Sequence, residues 1–396
     1  MVSTRFAVLA AIASCVTASP FAPGIVTTKG THFELNGKPF YFAGTNAYWW
    51  TFTKNLSDTV IAMDKAKTAG HEVVRIWGFN EKNATFDPNG LPKYSDEPDG
   101  IYFQSWADGK ATINYGENGL KHLDKLVQLA ERKGLKYTVA LTNNWADYFY
   151  TNVHIKAAFK NYVHAVVSRY KHSPAIFAWE LGNEPRCKAD GTRNLPRSPS
   201  GCNPAVMTAW AKEMSIFIKS IDPLHMVAVG DEGFFAIDGH PDWPYNGSDG
   251  IDTEAFLKIK TIDFGTFHLY CDWWCTWYLS SREPLTWGPD WIKSHAALQR
   301  KVGKPVVFEE YGWLTPETRL EYLGKTSSVS RLEAIGLWQR TSIEEKLAGD
   351  QYWQFGVDGL SFGQSTFDGF TIYLQNTTES QPLVYEHVKA VKKIRP

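Results

Sequence analysis

The chain has 396 residues, 43% of them hydrophobic, with 41 Lys and Arg against 42 Asp and Glu, and it carries 16 Trp, 18 Tyr and 23 Phe. That apolar content at that length builds a large core and excludes general disorder, while near-neutral charge without a basic run excludes partners held mainly by charge, nucleic acid and anionic membrane among them. The surplus of aromatic rings points instead to stacking on an uncharged, flat ligand.

Residues 1–18 read as a secretory signal peptide: one Arg precedes the apolar stretch 6–16, and small residues at 16–18 place cleavage after Ala18. The stretch is shorter than the roughly 20 apolar residues a bilayer requires, so no membrane anchor is expected and the protein is read as secreted and extracellular. Four N-x-S/T triplets, at Asn55, Asn83, Asn246 and Asn376, fit that route, and two or three are expected to carry sugar in a eukaryotic host. Residues 19–396 are expected to form one catalytic domain. Cys15 leaves with the signal, and Cys187, Cys202, Cys271 and Cys275 remain. Three pairings are open; loop-closure entropy favours Cys187 with Cys202 and Cys271 with Cys275. The rival, a zinc site, lacks the close ligand pairs zinc usually draws on.

Along the mature chain, short apolar strands are predicted at 40–44, 73–77, 137–141, 176–181, 226–230, 264–268, 306–310 and 352–355. Amphipathic helices are predicted between and after them at 58–69, 120–133, 155–170, 206–221, 291–301 and 331–347. In the second, Leu120, Leu123, Val127 and Ala130 recur at helical spacing and Gly134 is the stop. Eight strand-then-helix units predict an α/β fold, a (β/α)8 TIM barrel with enlarged βα loops. A doubly wound open sheet is the runner-up, but no G-x-G-x-x-G follows the first strand.

A barrel collects its chemistry at the carboxyl ends of the strands. The fourth strand ends in W-E-L-G-N-E-P-R, residues 179–186, and the seventh in F-E-E-Y-G, residues 308–312. Each puts a carboxylate on the rim, and two carboxylates brought together can break a glycosidic bond, one as proton donor and one as nucleophile or base. These blocks, with V-R-I-W-G-F at 74–79, G-D-E-G-F-F at 230–235, T-F-H-L-Y at 266–270 and Y-W-Q-F-G at 352–356, resemble glycoside hydrolase family 5, in particular its fungal-type endo-β-1,4-mannanases.

The resemblance implies a retaining double displacement with Glu184 as acid/base and Glu310 as nucleophile. Asn183 would bond the sugar 2-hydroxyl, Arg75 would hold the nucleophile ionised, Tyr270 would hydrogen-bond it, and His268 would lie close to both. Trp353 matches the ring that floors the subsite on the nonreducing side. Tyr48, Trp49 and Trp145 are candidates for neighbouring subsites, or for core packing; Arg186 would contact the sugar on the leaving-group side, and Glu232 would bond a hydroxyl there or brace a loop. Trp273, Trp274 and Trp277 beside the Cys271 clamp would wall the cleft or pack the loop.

Two choices are made by pattern. Glu309 and Glu310 are adjacent, so on a regular strand they face opposite ways and one alone looks into the site; the position before the aromatic-Gly pair selects Glu310. Asn-Glu-Pro selects Glu184 over Glu180, leaving Glu180 in support, with an Arg75–Glu180 barrel ion pair as the alternative reading of Arg75. The run 143–152 is shorter than the family's usual rim loop and 188–203 is longer, which bears on subsite number. The expectation is a secreted hydrolase cutting internal β-1,4-mannosidic bonds in mannans, galactomannans and glucomannans, without cofactor or metal, acting as a monomer on polysaccharide or manno-oligosaccharide. Alternatives are an exo-acting β-mannosidase or transglycosylase, a β-1,4-glucanase, or a carbohydrate-binding protein without turnover.

Overall fold

The computed structural model describes residues 24–83, 100–107, 109–144, 148–187, 201–274 and 284–395. The expected signal peptide with Cys15, and Trp145, Cys275, Trp277 and residues 188–200, lie outside the described residues. The chain opens with an antiparallel meander, β1 (Val26–Lys29), β2 (His32–Leu35) and β3 (Lys38–Phe40). Eight parallel strands then build the predicted barrel: β4 (Phe42–Asn46), β5 (Val73–Trp77), β9 (Lys136–Ala140), β10 (Ile176–Glu180), β11 (Met226–Ala228), β12 (Gly265–Leu269), β13 (Val306–Tyr311) and β14 (Gly349–Tyr352). Between β5 and β9 a small rim sheet is inserted: β6 (Glu81–Asn83), β7 (Gln104–Ala107) and β8 (Lys110–Ile113). After β14 the pair β15 (Phe355–Gly356) and β16 (Ile372–Tyr373) adds a further short sheet.

The barrel ladder runs in the order β11-β10-β9-β5-β4-β14-β13-β12. Its seam, between β11 and β12, is bridged by hydrogen bonds outside the ladder: Asp263 N to Val227 O at 2.8 Å, His268 N to Glu232 O at 3.1 Å and Thr266 Oγ1 to Asp231 O at 3.1 Å. Strands buried on both faces need continuous apolar runs rather than alternation, and β5 (V-V-R-I-W) and β10 (I-F-A-W-E) are buried at every position. The eighth strand begins and ends earlier than predicted, so Trp353 follows β14 instead of lying within it.

The helices are α1 (Leu56–Ala69), α2 (Leu120–Lys133), α3 (Tyr148–Thr151), α4 (Val153–Tyr170), α5 (Pro204–Ile221), α6 (Thr253–Leu257), α7 (Cys271–Trp274), α8 (Trp287–Val302), α9 (Pro316–Leu323), α10 (Arg331–Glu344), α11 (Thr377–Ser380) and α12 (His387–Val391). Their starts follow from side-chain caps: Asn152 and Asn203 accept from the first free N–H groups of α4 and α5, and Ser330 with Glu333 closes a capping box on α10. Among the described residues no helix is long and apolar enough to cross a membrane.

The meander plugs the amino-terminal end of the barrel. Phe33, fully buried, meets Phe177 and Phe264 edge-on at 5.0 and 5.4 Å, and Val26, Phe40, Phe42, Met226 and Val307 are among the others in this cluster. With one end sealed by apolar packing, the polar side chains of the barrel gather at the other. Cys187 and Cys202 are joined as expected, and Cys271 is also disulfide-bonded, its expected partner Cys275 being outside the described residues.

Candidate active site

At the carboxyl ends of the strands, Arg75 from β5 is fully buried among carboxylates. Its Nε and Nη2 hold Glu180 at 2.8 and 2.5 Å, Nη2 also donates to Asn183 Oδ1 at 2.9 Å, Nη1 donates to Asn46 Oδ1 at 3.2 Å, and Nη1 pairs with Glu310. The two readings of Arg75 are therefore both realised by one planar guanidinium, whose fork serves several oxygens at once. Burial opposes its charge, and Glu180, Glu309 and Glu310 outweigh that, so the group stays fully cationic.

Glu184 stands opposite, on the loop after β10, with φ at 49°, a left-handed conformation unusual for any residue but glycine. Two constraints hold it there. Pro185 bars the ordinary helical region to the residue before it, and the neighbouring amides are tied across the rim, Asn183 N to Thr142 O at 2.8 Å and Glu184 N to Gly230 O at 2.9 Å. Gly230 is required at that crossing: a Cβ there would meet Gly182 O at 2.2 Å and Glu180 Oε1 at 2.4 Å.

His268 from β12 joins the two acids. Its Nδ1 lies 2.9 Å from Glu184 Oε1 and 3.7 Å from Glu310 Oε2. Tyr270 donates to Glu310 Oε2 at 2.6 Å. One ligand atom each of Glu184, His268 and Glu310 lie within 4.8 Å of one another, so an oxygen of each carboxylate comes at least that near the other. Burial raises the Glu310 carboxyl, with His268 and Arg75 pulling it back and the charge of Glu184 adding to the rise. Burial acts on Glu184 too, but the His268 hydrogen bond and the charge of Arg186 outweigh it and hold this carboxyl down, to about 2. His268 is itself pushed well above its usual range: burial opposes its charge, and Glu310, Glu184 and Glu309 overcome that.

Glu309 departs from expectation. Instead of turning away from Glu310, it sits in the same buried cluster, 3.7 Å from Arg75 Nε and 3.6 Å from His268 Nε2. The cause is a register shift: Phe267 pairs with Phe308 but His268 pairs with Glu310, so Glu309 is skipped and the strict alternation of β13 is lost. Asn46 Nδ2 then donates to the Glu309 carbonyl at 2.8 Å.

Around this centre the aromatic candidates separate. Trp353, half-buried, donates Nε1 to Asp368 at 2.7 Å and lies parallel to Tyr48, centroids 5.3 Å apart and planes within 2°. Trp77, the Trp of V-R-I-W-G-F, meets both rings at 5.7 Å and takes Arg75 over its face at 4.9 Å. Trp49 takes the core alternative: it is 6% exposed, donates to Phe355 O at 3.3 Å and packs edge-on to Trp50 in the main core. A 3-10 turn at Tyr48–Phe52 rotates successive side chains, sending Tyr48 to the rim and Trp49 inward. Trp145 lies outside the described residues. Trp274 is buried against Tyr270, Phe234 and Trp243, whereas Trp273 is 38% exposed.

Arg186 spans the other side, with Nη2 3.1 Å from Glu184 Oε2 and Nε 3.2 Å from Glu232, whose carboxyl is buried completely and pushed up by that burial to about 8. Tyr150 Oη accepts from Arg186 N at 3.1 Å. Asn143 Oδ1 accepts from Asn183 Nδ2 at 3.0 Å and so orients that amide. Asn46, Asn143, Trp77, Tyr150 and Asp368 went unassigned in the sequence; the usable signal was that Asn46, Asn143 and Trp77 stand at or just after barrel strand ends.

This arrangement has counterparts. A profile of the cellulase family (glycosyl hydrolase family 5) matches residues 33–357. The chain is 50% identical to a probable mannan endo-1,4-beta-mannosidase C of Aspergillus terreus, covering 98% of this chain and 97% of the relative. It is 38% identical to mannan endo-1,4-beta-mannosidase A of Podospora anserina, covering 96% of each. Among solved structures, the endo-1,4-beta-mannanase of Rhizomucor miehei superposes with a TM-score of 0.77 at 37% identity, over 93% of this chain and all of the other.

Proposed function

The chain belongs to glycoside hydrolase family 5, and from that premise we propose that it is a secreted endo-β-1,4-mannanase that cuts mannan backbones with net retention. The observation that carries the mechanism is that one oxygen of Glu184 lies within 4.8 Å of one oxygen of Glu310. Retaining pairs stand about 5–5.5 Å apart, whereas inverting pairs need about 6.5–9.5 Å to admit a water. The names of the near full-length relatives support mannan as substrate.

In this reading Glu310 attacks the anomeric carbon. Arg75 and Tyr270 each bond one of its oxygens, favouring the ionised form and aiming it against the rise that burial causes. The departing oxygen takes a proton from Glu184. His268 Nδ1 lies 2.9 Å from Glu184 Oε1, so as the departing oxygen draws the proton from Glu184 the contact can resupply it, leaving a carboxylate beside a neutral imidazole. The glycosyl–Glu310 ester is then opened by water, which returns its proton to Glu184. Asn183, oriented by Arg75 and Asn143, is placed to hold the 2-hydroxyl, where glucose and mannose differ. Trp353 and Tyr48 offer faces to the nonreducing-side sugars, and Arg186 with Glu232 contacts the leaving-group side. Residues 19–396 act as one catalytic domain, and the substrate range extends to galactomannan and glucomannan.

The test is viscosity plotted against reducing ends released from galactomannan, with a matched β-1,4-glucan in parallel. A steep viscosity loss per new end on mannan is expected. Steady sugar release with slow viscosity loss would mean exo action, and turnover on glucan alone would overturn the assignment of the sugar.

A further inference from the structure

Away from the barrel mouth, α1 and α2 run side by side and leave a surface groove of about 440 Å³ between them. Its walls are Leu56, Val60 and Ile61 from α1 and Leu129 from α2, all half-buried, with Ser57, Lys125, Gln128 and Arg132 along the rim. The volume lies in the range of small-ligand sites, about 300–1,000 Å³, and an apolar floor with a donor-rich rim suits a pyranose, which has C–H faces and a hydroxyl edge. Further along, Lys133 pairs with Asp64 and joins the two helices.

Asn55 directly precedes the groove residues Leu56 and Ser57 in the chain. It is the exposed N-cap of α1 and the first residue of the triplet Asn55-Leu56-Ser57, and two members of that triplet line the groove. Its Oδ1 accepts from Ser57 N at 3.1 Å, which leaves Nδ2 available on an exposed residue. An N-linked sugar attaches through Nδ2 and leaves Oδ1 as an acceptor, so the cap and the modification are compatible.

We propose that Asn55 carries an N-linked glycan and that its first sugars lie in the α1–α2 groove, covering Leu56, Val60, Ile61 and Leu129. The donor is a lipid-pyrophosphate-linked oligosaccharide: the bond from sugar C1 to the pyrophosphate oxygen breaks, its electron pair leaves with the pyrophosphate, C1 bonds Asn55 Nδ2, and the amide proton passes to the transferase. The inference rests on the secretory reading of residues 1–18, not on which polysaccharide is cut.

The experiment compares full-length protein secreted from yeast with its Ser57→Ala variant, which destroys the triplet but keeps Asn55 and its bond to the backbone N–H of residue 57. Peptide mass spectrometry should find a glycan on Asn55 only without the substitution, and hydrogen exchange across 56–61 and 125–132 should be slower by roughly threefold or more when it is present. The same pair made in a non-glycosylating bacterium should exchange alike, showing that the lost hydroxyl is not the cause. A glycan that leaves exchange in both helices unchanged overturns the groove assignment. A bare Asn55 overturns the whole, and two further readouts say why: if secreted protein carries sugar on Asn246 or Asn376, Asn55 itself is refused, and if the chain stays inside the cells with all of these bare, the secretory reading falls with it.

Discussion

Glu184, half-buried, and Glu309 and Glu310, both buried, lie in one cluster, and their different surroundings assign them different consequences on substitution. Glu310→Ala is expected to abolish turnover of mannan, and added azide to restore it with inverted product, which chiral chromatography or NMR of the mannosyl azide would read. Glu184→Ala should lower kcat on mannan by about 10²–10⁴, with a smaller loss on aryl mannosides whose leaving group needs no proton. Glu309→Gln should retain turnover at reduced rate, because Glu309 acts on the centre through Arg75 and His268, at 3.7 and 3.6 Å. If Glu309→Gln were dead and Glu310→Ala active, the nucleophile would be misassigned. Both residues were in the sequence; the bulge that gathers them was not legible there, because it is created by pairing with β12, some forty residues away in sequence.

Local rules explain much of what the elements do, and they give tests of their own. The capping box of α10 spends the Ser330 hydroxyl on Glu333 N, so Ser330→Ala should cost about 1 kcal/mol in denaturant unfolding. His122 on α2 and His71 beyond α1 are buried and held by that burial at about 4, below the usual 6.5. Both states are neutral above 6.5. Between 6.5 and 4 the unfolded chain binds protons that the folded chain refuses, so stability should fall as pH drops through that window and level off beneath it. Thermal melts at pH 7, 5.5 and 4 would measure this, and His122→Phe should flatten the slope. The periodicity of α2 was readable in advance because its apolar stripe recurs every three or four residues; β16 and the rim sheet β6–β8 were not, since strands of two to four residues carry too few positions to show a period.

At the scale of the molecule, the barrel works because one end is sealed and the other is open to chemistry. Phe33 is central to the seal, touching Phe42, Phe177 and Phe264, and Phe33→Ala should destabilise by about 3–5 kcal/mol while leaving kcat nearly unchanged in the molecules that remain folded. Thermal unfolding beside activity at low temperature separates the two effects. A large kcat loss at full folding would mean that the plug also sets the geometry of the rim.

The sequence by itself determined the repeating strand and helix pattern, the glutamates at the ends of the fourth and seventh strands and the near neighbours of each. These are carried by hydrophobic runs, glycine stops and short contiguous blocks, all of them local along the chain. Only the tertiary structure decided that Arg75 bridges Glu180 and Glu310 at once, that Glu309 turns inward, that Trp49 is core while Tyr48 meets Trp353, and that Asn46 and Trp77 belong to the site. Each of those depends on where a side chain points relative to a strand or loop distant in sequence, and that direction is fixed by register and barrel closure rather than by the residue's own neighbours.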